Sequence, residues 1–335
     1  MAQKRKLPAL PRHSACSLHT DYLFMMIPLL CWPVFLYGMR PVLLSLVAVL
    51  TAKICDRLVS VLRKRRYDPS ENSSLVHALL LVMLMPASVP YYVVCISVIF
   101  CVMVAKEAFG GYGAYPFHPT GVAYAIAAIS WPQYLFRYPL PFQQDLPLWG
   151  SLKDILYTES ISHVMRTGGM PTTSRLDLLL GNYPSLIGTA PALIIISCGL
   201  FLFIRKRVDF FIPVSFTVAT AFVAWCFPRI GNIQGFFWQN ASQRLLSVQF
   251  ELLSGIIMFS AVFLSCEPCT TPKHPISRII YGVLWGLLTM MYRYYGTYET
   301  GVCFALLVVN ATSGYIDRIV IKLLANPKGV FGRVV

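Results

Sequence analysis

Charge is scarce in this chain of 335 residues. Asp and Glu together number 14, and charged residues of all kinds make up 13% of the sequence, where an ordinary soluble domain carries roughly a quarter. Period-2 alternation of apolar and polar residues is missing, which speaks against a membrane β-barrel. Ten cysteines are present, but they are scattered through apolar segments, where Cys acts as a small apolar residue and implies no disulfide framework. Cys266-x-x-Cys269 lacks the second pair that a four-thiolate metal site needs. No A-x-A-like cleavage site follows the first apolar run, so that run is expected to stay as a first helix. A Walker loop, a G-x-G-x-x-G after a strand, an H-E-x-x-H and a Ser–His–Asp pattern are all absent from the sequence. No residue is assigned as catalytic or as a metal ligand, and nothing in the chain is expected to bind NAD or ferredoxin.

Long apolar runs are what the sequence has in abundance, 56% of its residues being hydrophobic. Runs of about 20 apolar residues match a bilayer core of roughly 30 Å. The expected fold is an all-α integral membrane protein with about ten segments, at 22–39, 41–62, 75–89, 90–105, 119–132, 184–204, 210–228, 248–266, 279–295 and 300–320. The net charge of +14 sits in short clusters between these runs. That is the pattern of cytoplasmic loops in a multi-pass protein and not of a nucleic-acid-binding domain. With ten spans and both termini cytoplasmic, 18 basic residues fall inside. Eight fall outside: Arg40, Arg137, Lys153, Arg166, Arg175, Arg229, Arg244 and Arg293. Lys53, Asp56 and Arg57 lie near the inner end of the second segment, with Asp56 and Arg57 read as a helix-end pair. Glu251 is a carboxylate near the start of the eighth segment, which is a functional signal by default.

The chain divides into a cytoplasmic N-terminal segment 1–21, a five-helix half 22–132, an extracytoplasmic loop 133–183, a second five-helix half 184–320 and a cytoplasmic tail 321–335. Thr120-Gly121-Val122-Ala123-Tyr124-Ala125 resembles Thr300-Gly301-Val302-Cys303-Phe304-Ala305. Each copy falls at the fifth span of its half. Five is odd, so the halves have opposite orientation, the inverted-repeat plan of many transport proteins. Pro86 and Pro90 after the third segment match Pro268 and Pro272 after the eighth. Interrupted segments at matching places point to a site within the membrane, or else the prolines simply end helices near the surface.

Four blocks, in order, resemble one family. Lys106-Glu107-Ala108-Phe109-Gly110-Gly111-Tyr112-Gly113 with Pro116-Phe117-His118-Pro119 is similar to its K-x-x-F-G-G-x-G…F-N-P-A. Leu180-Gly181-Asn182-Tyr183-Pro184-Ser185-Leu186-Ile187-Gly188 is similar to its G-N-x-x-G-S-I-G. Cys266-Glu267-Pro268-Cys269-Thr270-Thr271-Pro272 is similar to its T-D-P-V-T-S-P, and Gly301-Val302-Cys303-Phe304-Ala305-Leu306 to its E-G-V-x-F-A. The family is that of RnfD, the D-type membrane component of Rnf electron transport complexes, and its relative NqrB.

The resemblance implies ten helices in an inverted repeat. It also implies FMN esterified through its phosphate to a Thr, and electron transfer coupled to Na+ or H+ translocation. It allows a second, non-covalent flavin. Other membrane and peripheral subunits of an Rnf- or NQR-like complex would be partners, in the lipid bilayer of the cytoplasmic membrane.

The family's attachment motif, roughly S-G-A-T-P-L, falls on Met170-Pro171-Thr172-Thr173-Ser174-Arg175. That makes Thr173 the acceptor candidate, with Thr172 and Ser174 one position away. Here Ser-Gly-Ala is absent, and Ser174-Arg175 stands where Pro-Leu is expected. Arg166 and Arg175 flank the place and suit a phosphate. Gly110 and Gly111 permit close backbone approach by a flat ring, or form a tight turn. His118 stands where the motif has Asn and is read either as a cofactor-side hydrogen-bonding group or as a satisfied structural histidine. Two rival functions remain: a flavin-free channel or secondary transporter of the same fold, and a scaffold subunit that has lost its cofactor.

Overall fold

The computed structural model describes residues 12–64, 71–142, 146–149, 155–206, 208–230, 240–265, 267–296 and 301–325, with side chains within 18–324. The first half holds α1 (Arg12–Tyr37), α2 (Arg40–Leu62), α3 (Ser73–Met83), α4 (Tyr91–Ile99) and α5 (Pro119–Ser130). A short α6 (Pro132–Leu135), a two-residue antiparallel pairing of Tyr138–Pro139 with Tyr157–Thr158, α7 (Ile161–Arg166) and α8 (Arg175–Leu180) follow. The second half holds α9 (Ala192–Ile204), α10 (Phe211–Cys226), α11 (Ala241–Leu253), α12 (Ile256–Phe259), α13 (Pro275–Tyr295) and α14 (Val302–Ala325). Two stretches wind as π-helix, Phe100–Lys106 directly after α4 and Ser260–Leu264 directly after α12.

All ten expected segments hold helix. By length and composition, three helical stretches among the described residues suffice to cross a bilayer: Leu18–Tyr37, Tyr91–Phe109 and Val302–Leu324. The pair Ala241–Leu253 and Ile256–Leu264, bent by 58°, makes a fourth if counted as one span. Ser73–Met83, Pro119–Ser130, Ala192–Ile204 and Phe211–Cys226 are apolar but short. Large apolar side chains cover the outer faces of the helices, with Phe24, Ile27, Phe35, Ile54, Val218 and Phe222 all more than half exposed. A helix that is apolar on both its inner and outer faces belongs in lipid.

The short α3 is continued by buried irregular backbone. After α3, residues 84–89 leave the helix yet stay buried, with Met85 and Ala87 fully enclosed. The prolines at 86 and 90 therefore do not end a helix at the surface. The freed backbone groups find partners, as non-helical backbone at membrane depth must. Met83 and Met85 carbonyls accept from the Gly188 and Ile187 amides at 2.9 and 3.0 Å. Arg40, 2% exposed, donates from Nε to the Ala87 carbonyl at 2.9 Å and from Nη2 to the Val89 carbonyl at 3.3 Å.

The second half is tightest between α10 and α13. Gly282 and Gly286 lie one turn apart and admit the other helix to backbone contact. A Cβ on Gly282 would fall 1.9 Å from Ser215 Oγ, and one on Gly286 would fall 2.8 Å from the Ala219 Cβ. This is the small-xxx-small packing of membrane helices, Gly282/Gly286 against Ser215/Ala219. Phe216 and Trp285 pack beside it with ring centres 4.1 Å apart.

Candidate functional site

The hydroxyl-bearing loop lies between α7 and α8. Ser174 caps α8: its Oγ accepts from the Asp177 amide at 3.1 Å and donates to Asp177 Oδ2 at 2.7 Å. The Ser174 hydroxyl holds the Asp177 carboxyl below the usual carboxylate range, helped by the Asn182 amide. Thr172 is exposed. Thr173 differs from both neighbours, since its Oγ1 is buried and has no hydrogen-bond partner among the described residues. Two residues on, Arg175 joins Leu178, Leu179, Gln249, Phe250 and Leu253 in lining a groove between α8 and α11. Arg166 is committed elsewhere, donating to the Gly296 carbonyl at 2.6 Å. The segment after α8 is held against the second half by Tyr183, whose hydroxyl donates to the Leu253 carbonyl at 2.9 Å.

A second polar centre sits close by. Glu251, on α11, is fully buried and takes Arg229 at 2.5 Å on Oε1 and Arg293 at 2.9 Å on Oε2. Arg293 also donates to the Ser254 carbonyl at 3.0 Å, where α11 gives way to α12. A cavity lined by Ser162, Tyr183, Ser185, Thr189, Ser254 and Arg293, among others, adjoins it. Four arginines expected in outer loops are thus structural. Arg40, Arg244 and Arg293 are buried and Arg229 is nearly so, because each long side chain turns inward to a carbonyl or carboxylate.

A third centre gathers the Gly110–His118 segment. Lys106, expected in a loop, is 2% exposed; its Nζ meets Glu71 at 2.8 Å and Ser74 at 2.7 Å. Ser74 donates in turn to Asp56 at 2.7 Å. Asp56 therefore belongs to this ionic group. Gly110 and Gly111 both have positive φ, +120° and +90°, which gives the double glycine a turn to make whatever else it does. His118 is buried, and among the described residues neither of its ring nitrogens is hydrogen-bonded. It packs edge-on against His77 with ring centres 5.3 Å apart. His77 meets Thr120 Oγ1 from Nδ1 at 3.3 Å and Tyr115 from Nε2 at 3.4 Å. Tyr115 donates to Glu267 Oε1 at 2.5 Å.

The expected site residues thus do not fall in one place. Thr172, Thr173 and Ser174 share one loop, which reaches through Arg166 to Gly296 at the end of α13. His118 lies with His77, Tyr115 and Glu267, the last of which precedes the start of α13, whereas Gly111 faces the Glu107 carboxylate. Sequence reasoning missed His77, Tyr115 and the two partners of Glu251. A histidine inside the apolar run Leu75–Met85 is the signal by which the first of these could have been found. Cys266 lies outside the described residues; Cys269 is a free thiol.

A helical membrane protein with broken helices and buried ionic centres is the class this architecture defines. The chain belongs to the NQR2, RnfD, RnfE family, which it matches over residues 11–325. It is 30% identical to the D subunit of an ion-translocating oxidoreductase complex from Yersinia pseudotuberculosis, with 89% of this chain and 92% of the relative covered. The D subunits of the same complex from Pectobacterium carotovorum (28%; 89% and 92% covered) and Escherichia fergusonii (28%; 87% and 88% covered) are similar in the same way.

Proposed function

We propose that this chain is the flavin-bearing membrane subunit of an ion-translocating oxidoreductase complex. It would relay electrons between partner subunits and couple them to movement of Na+ or H+. In this reading it sits in the cytoplasmic membrane with both termini inside, as two inverted five-helix halves. The other membrane and peripheral subunits of the complex supply the electron donor and acceptor sites that this chain lacks.

The observation that carries the flavin is the Thr173 hydroxyl, buried and without a partner among the described residues, between an exposed Thr172 and a Ser174 committed to capping. An orphaned buried hydroxyl costs free energy in the free chain, and a phosphoester at that oxygen removes the cost. FMN esterified to Thr173 would have Arg175 two residues away for its phosphate. The groove of Leu178, Leu179, Phe250 and Gln249 offers apolar walls and one amide for a ring. Flavin bound there would supply one-electron relay chemistry. Glu251 with its two arginines is a fixed charge centre beside the neighbouring cavity. A positive side chain in a poorly hydrated place stabilises negative charge arriving nearby.

The test is in-gel flavin fluorescence of the denatured chain, co-expressed with its flavin transferase. Fluorescence that survives denaturation, persists in Thr173→Ser and vanishes in Thr173→Ala supports the reading. Loss in Thr172→Ala instead moves the acceptor by one residue. A dark band beside a fluorescent family member removes covalent flavin. Solute flux in liposomes made from the chain then separates a transporter from a scaffold subunit.

A further inference from the structure

We propose that His77, His118 and Glu267 form a binding site for one divalent transition-metal ion of the zinc or iron(II) type. One ligand atom from each residue lies within 4.8 Å of the others, and all three residues are buried. The proposal concerns residues apart from the flavin loop and does not rest on flavin being present.

The geometry assigns each group a part. Glu267 uses Oε1 to accept from Tyr115 at 2.5 Å, which leaves Oε2 facing His77 Nε2 at 3.8 Å; a metal bond at that nitrogen would replace its 3.4 Å contact with the Tyr115 hydroxyl. His77 is oriented from its far side, where Nδ1 meets Thr120 at 3.3 Å. Metal-ligating histidines are commonly held by a hydrogen bond at the second nitrogen, which fixes tautomer and ring direction. His118 brings two buried ring nitrogens with no partner among the described residues, one of which a metal–nitrogen bond would satisfy. Bonds of 2.0–2.2 Å place neighbouring ligand atoms about 3.3 Å apart, so small side-chain rotations close the site.

Two imidazoles and one carboxylate select the ion. Mg2+ and Ca2+ take oxygen ligands, whereas imidazole suits zinc, iron, nickel and copper. Three protein ligands leave a coordination position open, as at catalytic zinc centres. Cys269 supplies a thiol at the edge of the site, within reach of Glu267, Tyr112 and Tyr115. The segments that deliver His118 and Glu267 each follow a π-helix, Phe100–Lys106 before His118 and Ser260–Leu264 before Glu267. Such windings recur at functional sites.

The experiment uses the full chain, purified in detergent through a tag free of histidine, stripped with chelator and titrated with cobalt(II). The expected result is visible d–d absorption saturating at one ion per chain. It should weaken at least tenfold in His118→Asn and in Glu267→Gln. His163→Ala, which removes an exposed histidine paired with Glu159, should leave it unchanged. Zinc should also raise the melting temperature of the wild type and not that of His118→Asn, because a ligand bound only to the native state stabilises it. Absence of a cobalt spectrum in the wild type overturns the proposal. So does binding that survives both ligand substitutions, or that disappears with His163→Ala, which would mean an adventitious ion only.

Discussion

Arg293 and Glu251 meet inside the protein, Nε to Oε2 at 2.9 Å, with 2% and 0% of their side chains exposed. Arg229 approaches the other carboxylate oxygen at 2.5 Å and stacks over Tyr294, 4.6 Å from the ring centre. One acid thus holds two guanidinium groups. Arg293 donates to the Ser254 carbonyl, and Arg229 donates to the Arg293 carbonyl at 3.3 Å. The ionic group therefore ties the bend between α11 and α12 to the end of α13.

Neutralising the acid exposes the cost of this arrangement. Breaking a buried ion pair by removing one partner leaves uncompensated charge and costs about 3–5 kcal/mol. Glu251→Gln should lower the thermal midpoint of the detergent-solubilised chain strongly. Glu251→Gln with Arg293→Met should recover part of the loss, because it removes one of the stranded charges. A double variant no more stable than Glu251→Gln alone would show that the two side chains do not share one interaction.

The contact of α10 with α13 depends on hydrogen at two positions. A Cβ on Gly282 would also lie 2.9 Å from the Ile212 carbonyl, which is backbone and cannot rotate away. Gly282→Ala must push the helices apart and unseat Phe216 from Trp285. Overpacking of this kind costs about 1–3 kcal/mol. Ser215→Gly in the same chain removes the nearest clashing atom but not the carbonyl, so it should restore little. Melting curves of the single and double variants read this directly, and full recovery would contradict the backbone clash.

The helical architecture was open to the sequence because apolar run length and charge scarcity are local properties. The family was open through four short blocks. The centres were open only in part. Glu251 stood out as a carboxylate in an apolar segment, yet Arg229 and Arg293 looked like loop charges. Their partners are 22 and 42 residues away, and a count of basic residues cannot see a side chain that turns inward. Arg40 and Lys106 were hidden in the same way. His118 was noticed for a motif change, whereas its neighbour His77 is 41 residues earlier in a run that reads as ordinary span. The Pro86–Pro90 interruption was legible, but the carbonyls it frees and the arginine that serves them required the fold.

That arginine offers a sharp test. Arg40 gives three hydrogen bonds to backbone carbonyls, those of Ala87, Val89 and Pro147. Arg40→Met keeps much of the volume but leaves buried carbonyls unpaired, and each unmet group costs about 1–3 kcal/mol. Arg40→Lys keeps the charge but offers a compact ammonium in place of a planar fork, so it should rescue only partly. Limited proteolysis and melting temperature should rank wild type above Arg40→Lys and Arg40→Lys above Arg40→Met. Equal stability of Arg40→Met and wild type would mean that water serves these carbonyls.

Gly181 connects the proposed flavin loop to the buried segment behind it. It ends α8 in the left-handed region, φ +84°, and its amide donates to the Asp177 carbonyl at 2.8 Å. A Cβ there would fall 2.5 Å from the Ala190 carbonyl carbon. Two separate costs follow from Gly181→Ala: about 1 kcal/mol for the backbone angle, and displacement of the 190–191 backbone. Gly181→Asn separates them, since Asn tolerates the left-handed region but still carries a Cβ. Both variants should destabilise the chain, and both should lower flavin incorporation although Thr173 is untouched. Ser174→Ala, which loses the α8 cap at about 1 kcal/mol, should be milder and should still accept flavin. If Gly181→Asn matched the wild type in melting temperature and fluorescence, close approach to Ala190 would be of no consequence and the angle alone would account for the glycine.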